Sequence, residues 1–334
     1  MQDLHGTRGV RRQVVLGTLL LLYIAALIAG VGIGANRYTL SEVLAGLFNP
    51  GSGVLRTIIF GVRLPRVLTA SLVGVCLSLS GCILQGVMRN DMASPSTIGI
   101  TSGASFAGYI TLVAAPHLAR FLPMGAFVGA FATTLFIYAI ANRDGVNPVR
   151  MILSGLAVSA VLNAFNDVIK LFWSENIANV TGFLVGGLNG VTWRDLRMIL
   201  PYALLGIAAC LLLPGRLNIL LLGDEVAESL GLGTESFRLL LIVISSLLAA
   251  AAVSVAGMIS FVGLIVPHIA RLLVGSDYRY LFPASTLLGA VALVACDTVG
   301  RVIMLPGEMP VGVIMAFVGA PFFLYLLRRK PKRS

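Results

Sequence analysis

Charge is scarce in this sequence of 334 residues: only 11% of the residues are charged, whereas 57% are hydrophobic. The sequence has three histidines and four cysteines, and no group of them has the spacing of a metal site. All four cysteines lie within apolar runs, where a small buried side chain is the expected function. There is also no glycine-rich nucleotide-binding loop and no nucleophile motif. We therefore expect a chain that performs no covalent chemistry and binds no cofactor itself.

Long apolar runs dominate the sequence instead. A membrane-spanning helix needs about 20 apolar residues, and on that measure the sequence predicts about ten spans. The predicted spans are 14–34, 58–87, 97–115, 121–141, 150–172, 198–214, 238–258, 259–274, 283–304 and 311–327. A short surface helix is expected near residues 40–48. The predicted fold class is an all-α integral membrane protein, a single multi-pass bundle in the cytoplasmic membrane.

The formal net charge of +10 comes largely from basic segments that flank the spans. Arginines precede the first span and a basic run follows the last, so an even number of spans places both ends on one side. More of the 24 Lys and Arg residues fall on that side than on the other, which predicts cytoplasmic termini. The expected organisation is a tail over 1–13, a transmembrane domain over 14–327 and a basic tail over 328–334.

One polar segment, residues 222–233, interrupts the apolar pattern and contains three acidic residues. Its apolar residues Val226, Ala227 and Leu230 recur at helical spacing, and Gly231 supplies a C-terminal stop. The predicted topology places this segment in the cytoplasm. Two interpretations are open: an amphipathic helix with one face free for a soluble partner, or a solvated loop that happens to be helical.

Charged residues within or beside the spans form two further candidate sites. Arg63 and Arg66 share one helix face at the outer surface, where they either reach lipid headgroups or form a docking patch for an acidic partner. Asp297 lies inside the ninth span, one helical turn before Arg301. A carboxylate there is costly unless it is paired, so the spacing predicts a structural ion pair with Arg301, with a proton relay as the alternative.

Several longer motifs occur in a consistent order along the chain. They are Arg63-Leu-Pro-Arg66, Ser80-Gly-Cys-Ile-Leu-Gln85, Met92-Ala-Ser-Pro95, Leu222 to Gly231, Gly257 to Leu264, Pro267 to Arg271, Met309-Pro-Val-Gly312 and Gly319-Ala-Pro-Phe322. With these motifs, the sequence resembles the permease subunits of ABC importers for iron-siderophores, haem and cobalamin, the FecCD family. The resemblance covers nearly the whole chain from about Arg63, and its motifs identify the family rather than the substrate.

The resemblance implies a ten-helix permease that translocates an iron-siderophore, haem or a corrinoid by ATP-driven alternating access. It implies a homodimer, although pairing with a paralogue is left open, and it implies two cytoplasmic ATPase subunits that use ATP and Mg. It also implies an extracytoplasmic substrate-binding protein. In this family the chain itself is not an enzyme.

The resemblance also implies roles for particular residues. The loop 222–233 would couple to the ATPase, arginines would dock the binding protein, and two cytoplasmic turns would act as gates. The coupling residues are Gly223, Glu225, Val226, Ala227, Leu230 and Gly231; the docking residues are Arg63, Arg66 and Arg301; the gate residues are Asn90, Asp91, Met92, Asp144, Gly145, Val146 and Asn147. The sequence departs from the family at Asp91, where the family has proline.

Two other classes of function are compatible with ten spans. A stand-alone secondary transporter driven by an ion gradient would use Asp297 as its coupling carboxylate. A membrane scaffold or receptor would need no transport path, but it gives no reason for docking surfaces on both sides of the membrane.

Overall fold

The computed structural model describes residues 2–49, 51, 53–142, 148–173 and 177–328, without the side chains of 2–8, 148, 177–179, 326 and 327. The described residues form fifteen α-helices. These are α1 (Gln2–Gly32), α2 (Leu40–Phe48), α3 (Val54–Arg56), α4 (Leu64–Val87), α5 (Ile100–Tyr109), α6 (Leu122–Ala141), α7 (Pro148–Phe172), α8 (Ile177–Val185), α9 (Trp193–Leu212), α10 (Pro214–Leu220), α11 (Asp224–Ser229), α12 (Thr234–Ala256), α13 (Val262–Val274), α14 (Tyr278–Gly300) and α15 (Val311–Arg328).

Ten of the helical stretches correspond to the ten predicted spans. Seven are long and apolar enough to cross a membrane, and the stretches Ile100–Ala114, Val262–Val274 and Val311–Tyr325 are apolar but shorter. The surface helix predicted near 40–48 is α2. The all-α fold class is therefore confirmed, and the chain is a multi-pass membrane protein.

Helix ends differ from the predicted bounds where a polar residue caps the helix. The ninth span was expected at 283–304, but α14 begins at Tyr278 because the Asp277 side chain accepts a hydrogen bond from the backbone N–H of Arg279 at 3.0 Å. The sixth span was expected from 198, but α9 begins at Trp193, since Thr192 and Asp195 form a capping box. Hydropathy contains no information on these caps. The starts predicted from it therefore lie about one turn after the starts of the helices.

Helix α4 is the centre of the bundle. It packs against α9, α12, α13 and α14, and 89% of its most apolar window is buried. Glycines permit this crowding, because a Cβ on Gly74 would overlap the carbonyl of Gly289 in α14, and one on Gly81 would overlap the carbonyl of Gly263 in α13. Small residues let the helix backbones touch, and this contact takes the place of a hydrophobic driving force inside a membrane.

Helices α5 and α6 form a second close pair. The sequence predicts close approach through Gly99/Gly103 and Gly125/Gly129, and the structure brings Gly103 and Gly129 together. A Cβ added to either residue would overlap the carbonyl of the other. The other two glycines lie against side chains of neighbouring helices.

The two ends of the bundle carry different polar groups. The start of α1, the C-terminal ends of α4, α6 and α13, and the helix α11 lie at one end, called here the N-terminal side. The opposite side holds α2 and the C-terminal ends of α1 and α14. Helix α1 begins at Gln2, so the segment 1–13 that was expected as a tail continues the first span as helix from that residue. The boundaries of the membrane domain at 14 and 327 stay predictions.

Candidate functional site

The polar segment 222–233 folds into the short helix α11, as its apolar spacing predicts. Gly223 precedes the helix with φ +114°, and Gly231 ends it with φ +81°. The Gly231 N–H donates to the Glu228 carbonyl at 2.9 Å, and the Leu232 N–H donates to the Ala227 carbonyl at 3.0 Å. This pair of hydrogen bonds is the Schellman motif, which requires a left-handed residue at Gly231. The predicted glycine stop is confirmed.

Two apolar side chains are exposed on α11, beside the exposed Glu225, Glu228 and Ser229. Val226 is 44% exposed and Leu230 is 60% exposed. Ala227, in contrast, is fully buried. The prediction that Ala227 shares the outward face is wrong, because the short helix turns this residue toward its own subunit, where α11 packs on α10 and α12. Val226 and Leu230 remain as the exposed apolar pair.

Asp224 joins α11 to two other parts of the chain. Its carboxylate accepts from Arg238 Nη1 at 2.9 Å and from Arg238 Nη2 at 2.6 Å, in a bidentate pair. It also forms an ion pair with Arg89. Arg238 is 5% exposed, and the carboxylate of Asp224 compensates its buried positive charge. Partial burial, together with the neighbouring Arg238, lowers the pKa of the Arg89 guanidinium, which nevertheless stays protonated at neutral pH.

Arg89 immediately precedes the predicted gate turn Asn90–Met92. The turn is closed by the Asn90 side chain, whose Oδ1 accepts from the Met92 N–H at 2.9 Å. Asp91 forms an ion pair with Arg271 near the end of α13. The acid that replaces the family proline is therefore held by a cation. Asp224, Arg89, the turn, Asp91 and Arg271 make one continuous line of contacts from α11 to α13, which we call the Asp224 line.

A second contact connects the same region to the other predicted gate turn. Asn142, at the C-terminal end of α6, donates from Nδ2 to Glu235 Oε1 at 3.1 Å. Glu235 lies in the first turn of α12, directly after the segment 222–233. Asp144, Gly145, Val146 and Asn147 follow Asn142 in sequence and lie outside the described residues.

Two of the three predicted docking arginines are buried on the opposite side. Arg63 is 7% exposed, and its Nη1 donates to the carbonyls of Val31 and Gly32, each at 2.8 Å. Arg301 is 3% exposed, and its Nη2 donates to the Gly30 carbonyl at 2.7 Å. Both side chains thus cap the C-terminal end of α1, where cations are favourable. In this structure neither guanidinium is presented at the surface.

Asp297 lies at the centre of a charge cluster on this side. It is 2% exposed and accepts from Arg66 at 2.9 Å, from Nη2, and at 3.1 Å, from Nε. Arg301 Nε lies 3.2 Å from Asp297 Oδ2, close enough for an ion pair but not aligned as a hydrogen bond. Arg66 also pairs with Glu308 at 2.8 Å, and Glu308 is 34% exposed. The local partner Arg301 was predicted, whereas Arg66 is the better-aligned partner and comes from α4.

Two residues of these contacts, Arg238 and Arg66, were not predicted as partners, although weak signals for both are present in the sequence. Arg238 is a lone cation in the first two turns of a predicted span, a position that calls for an acidic partner. Arg66 is likewise a cation inside a predicted span, but no local spacing connects it with Asp297, which is 231 residues away. Within the described ranges, no three or more His, Cys, Asp or Glu side chains lie close enough together to hold a metal ion.

Comparisons with known proteins agree with this arrangement. The model of the FecCD transport family matches residues 20–329. A Fe(3+)-citrate import system permease of Bacillus subtilis is 38% identical over 310 residues, which cover 93% of each chain. A cobalamin import system permease of Halobacterium salinarum is 41% identical over 281 residues, covering 84% of this chain and 75% of the relative.

A solved structure, described as an inward-facing conformation of a metal-chelate type ABC transporter, superposes with a TM-score of 0.80 at 32% identity. The match covers 94% of this chain and 98% of that one. The resemblance noted in the sequence is therefore confirmed over nearly the full length, by family, by individual relatives and by fold. The chain belongs to the FecCD transport family and is the permease subunit of an ABC import system.

Proposed function

We propose that this permease imports a metal chelate or corrinoid, of the iron-siderophore, haem or cobalamin kind, by ATP-driven alternating access. The relatives are named for Fe(3+)-citrate and cobalamin import, and the similar structure for a metal chelate. In the proposed assembly a soluble binding protein selects the ligand outside, and two ATPase subunits supply the energy inside.

The coupling segment carries this proposal. Val226 and Leu230 form an exposed apolar pair on a short helix, and Gly223, Glu225 and Gly231 shape or flank that helix. An apolar pair of this kind on the N-terminal side suits a groove in a soluble subunit, since exposed apolar side chains favour burial at an interface. In this account Ala227 anchors the helix to the permease and does not touch the ATPase.

The same segment reaches the proposed gates. In this proposal, a displacement of α11 by the ATPase is transmitted to Asn90, Asp91 and Met92 through the contacts of the Asp224 line. The Glu235–Asn142 hydrogen bond connects α12 with Asn142, the residue before 143–147 in the sequence. We keep 143–147 as the proposed second gate. Asp91 fits a gate position because its ion pair with Arg271 can be broken and re-formed.

A second copy of the chain would cover α7. Only 11% of the most apolar window of this helix is buried. Asn163 is nevertheless exposed, and it lies nine residues before the helix end at Phe172, about 14 Å along the helix at 1.5 Å per residue. An exposed amide within the predicted span 150–172 is costly against lipid, so this face suits a partner subunit or a water-filled path. Both are supplied by a homodimer with its path between the copies.

Arg66 is the docking residue that the geometry supports best on the outer side. Its contact with Glu308 is partly exposed, so a carboxylate of the binding protein has access to the same guanidinium. Arg63 and Arg301 enter this proposal as neighbours that position α1 and Asp297. Their own docking function, predicted from the resemblance, would require them to leave the α1 carbonyls.

The proposal is tested by the association of the ATPase with the permease. Val226→Asp with Leu230→Asp places two charges in the proposed apolar contact, and unpaired buried charges cost several kcal/mol. We expect the ATPase that co-purifies with the wild-type chain from its native membrane to be lost from this variant. Leu212→Asp, at a 79% exposed leucine at the end of α9, serves as the control. Retention of the ATPase by the double variant would contradict the proposal.

A further inference from the structure

A cavity of about 260 Å³ opens on the N-terminal side, between the start of α1 and the C-terminal end of α13. Arg11 and Arg12 of α1 line it, together with Arg271 and the segment 272–275. Three arginines from two helices far apart in sequence therefore line one space. The segment 222–233, the outer charge cluster and α7 contribute nothing to its lining, and Arg271 is the lining residue that it shares with the Asp224 line.

Arg12 is held in place before any ligand binds. Its Nε donates to the Val274 carbonyl at 2.9 Å, and its guanidinium lies 4.5 Å from the ring centroid of Tyr280. Gly275, with φ +87°, lets Nη2 approach, since a Cβ there would lie 3.3 Å from that nitrogen. The hydrogen bond and the ring contact fix the orientation of the group while using only Nε as a donor. Its two Nη groups are the donors available to an anion.

The charges around the cavity are not balanced within the described part of the chain. Arg271 is paired with Asp91, whereas neither Arg11 nor Arg12 has a carboxylate within ion-pair distance among the side chains that the structure describes. The C-terminal end of α13 would itself repel an anion, but Arg12 occupies the Val274 carbonyl at that end. The site therefore presents about two uncompensated positive charges.

Apolar surface borders the same cavity on the membrane side. Leu272 is 56% exposed and Leu273 is 36% exposed, and both belong to the lining. A free anion such as inorganic phosphate would gain nothing from these leucines. A phospholipid would use both parts, with its phosphate at the arginines and an acyl chain along the leucines.

We infer that this cavity binds an anionic phospholipid, whose headgroup phosphate is held by Arg11 and Arg12 and whose acyl chain packs on Leu272 and Leu273. The lipid would fasten the start of α1 to the end of α13. Arg271 also belongs to the Asp224 line, so the lipid would lie beside the proposed gate without being part of it. The inference stands on the cavity alone and does not depend on the proposed substrate.

Native mass spectrometry of the full-length permease in detergent measures the binding. Phosphatidylglycerol and phosphatidylcholine are added at matched concentrations, and the lipid-bound fraction is counted for wild type and for Arg11→Gln with Arg12→Gln. Each Lys or Arg near an anionic membrane surface strengthens its binding to anionic lipid. Removing two of them should therefore weaken that binding by about 30-fold. We expect wild type to prefer phosphatidylglycerol and the double variant to lose that preference by roughly this factor. Arg279→Gln, at another exposed arginine of the N-terminal side, should behave as wild type.

Two further measurements separate the alternatives. Arg11→Gln alone keeps the Arg12 contacts with Val274 and Tyr280, so it tests the charge effect if the double variant does not fold, and we expect a smaller loss of preference. Inorganic phosphate at millimolar concentration should not displace the lipid. Displacement by phosphate would show a free-anion site and overturn the lipid assignment. Equal binding of the two lipids by wild type, or an unchanged preference in both arginine variants, would overturn the site itself.

Discussion

At the scale of single residues, Asp297 is the clearest case of a buried charge that depends on its partners. Two guanidinium groups contact its carboxylate, and its exposure is 2%. Asp297→Asn removes the negative charge and leaves both cations in place. Breaking a buried pair in this way costs about 3–5 kcal/mol. We expect a clearly lower unfolding temperature of the variant in detergent.

The exposed pair of Asp167 and Lys170 provides the control for that measurement. These residues lie 2.8 Å apart, and the Asp167 side chain is 71% exposed. Ion pairs at exposed positions contribute about 0–1 kcal/mol, so Asp167→Asn should change the unfolding temperature little. Equal shifts for Asp167→Asn and Asp297→Asn would show that the cluster around Asp297 is not a specific source of stability.

Arg89 is the residue through which the Asp224 line is best tested. Arg89→Gln breaks the contact between α11 and the gate turn, while the Asp224–Arg238 pair remains intact. We expect ATP hydrolysis to continue with fewer ligands transported per ATP, a several-fold drop in that ratio. The measurement is parallel uptake and hydrolysis in proteoliposomes, with Arg279→Gln as a matched loss of one exposed cation. An unchanged ratio in Arg89→Gln would remove Arg89 from the coupling account.

The contacts of single residues could be predicted from the sequence only where both partners are close together in the chain. The Asp297–Arg301 spacing and the Gly231 stop each depend on neighbours within five residues, and both were predicted. Arg66 and Asp297 meet only because α4 and α14 pack together, so nothing in the local pattern connects them. Ala227 was placed on the wrong face because a helix of six residues has too few turns to define its faces by spacing alone.

At the scale of helices, hydropathy was sufficient to find the ten spans, because each must satisfy its backbone within an apolar run. It did not find how the second span begins, where a π-helical segment, Thr57–Arg63, joins α3 to α4. It also could not show which span is central. The stretches Val54–Val87 and Val149–Phe172 are both apolar enough to cross a membrane, yet 89% of the most apolar window is buried in the first and 11% in the second.

The contact between α5 and α6 gives a prediction at this scale. Gly103→Ala places a methyl group against the backbone of Gly129, and overpacking of this kind costs about 1–3 kcal/mol. We expect a lower unfolding temperature of the purified permease. Gly182→Ala in α8 is the matched control, since a Cβ there has no atom within 4 Å and alanine favours the helix. A loss for Gly182→Ala as large as for Gly103→Ala would argue against close backbone packing as the cause.

At the scale of the whole molecule, the polar groups are divided between the two ends of the bundle. The N-terminal side carries the segment 222–233, the proposed gate turn Asn90–Met92, Asn142 just before the second proposed gate, and the arginine-lined cavity, and the opposite side carries the Arg66 cluster. A transporter that receives energy on one side and ligand on the other requires this division. A secondary transporter would instead need a titratable group in its path, whereas the charge of Asp297 is committed to two arginines.

The most direct test of this account is ligand uptake into proteoliposomes that contain either the permease alone or the complete complex purified from its native membrane. Iron chelates, haem and corrinoids are supplied with the co-purified binding protein, with and without ATP at the ATPase face, and with a protonophore. We predict uptake only by the complete complex, only with ATP and at the same rate in the protonophore. Uptake by the permease alone that a protonophore abolishes would contradict the account.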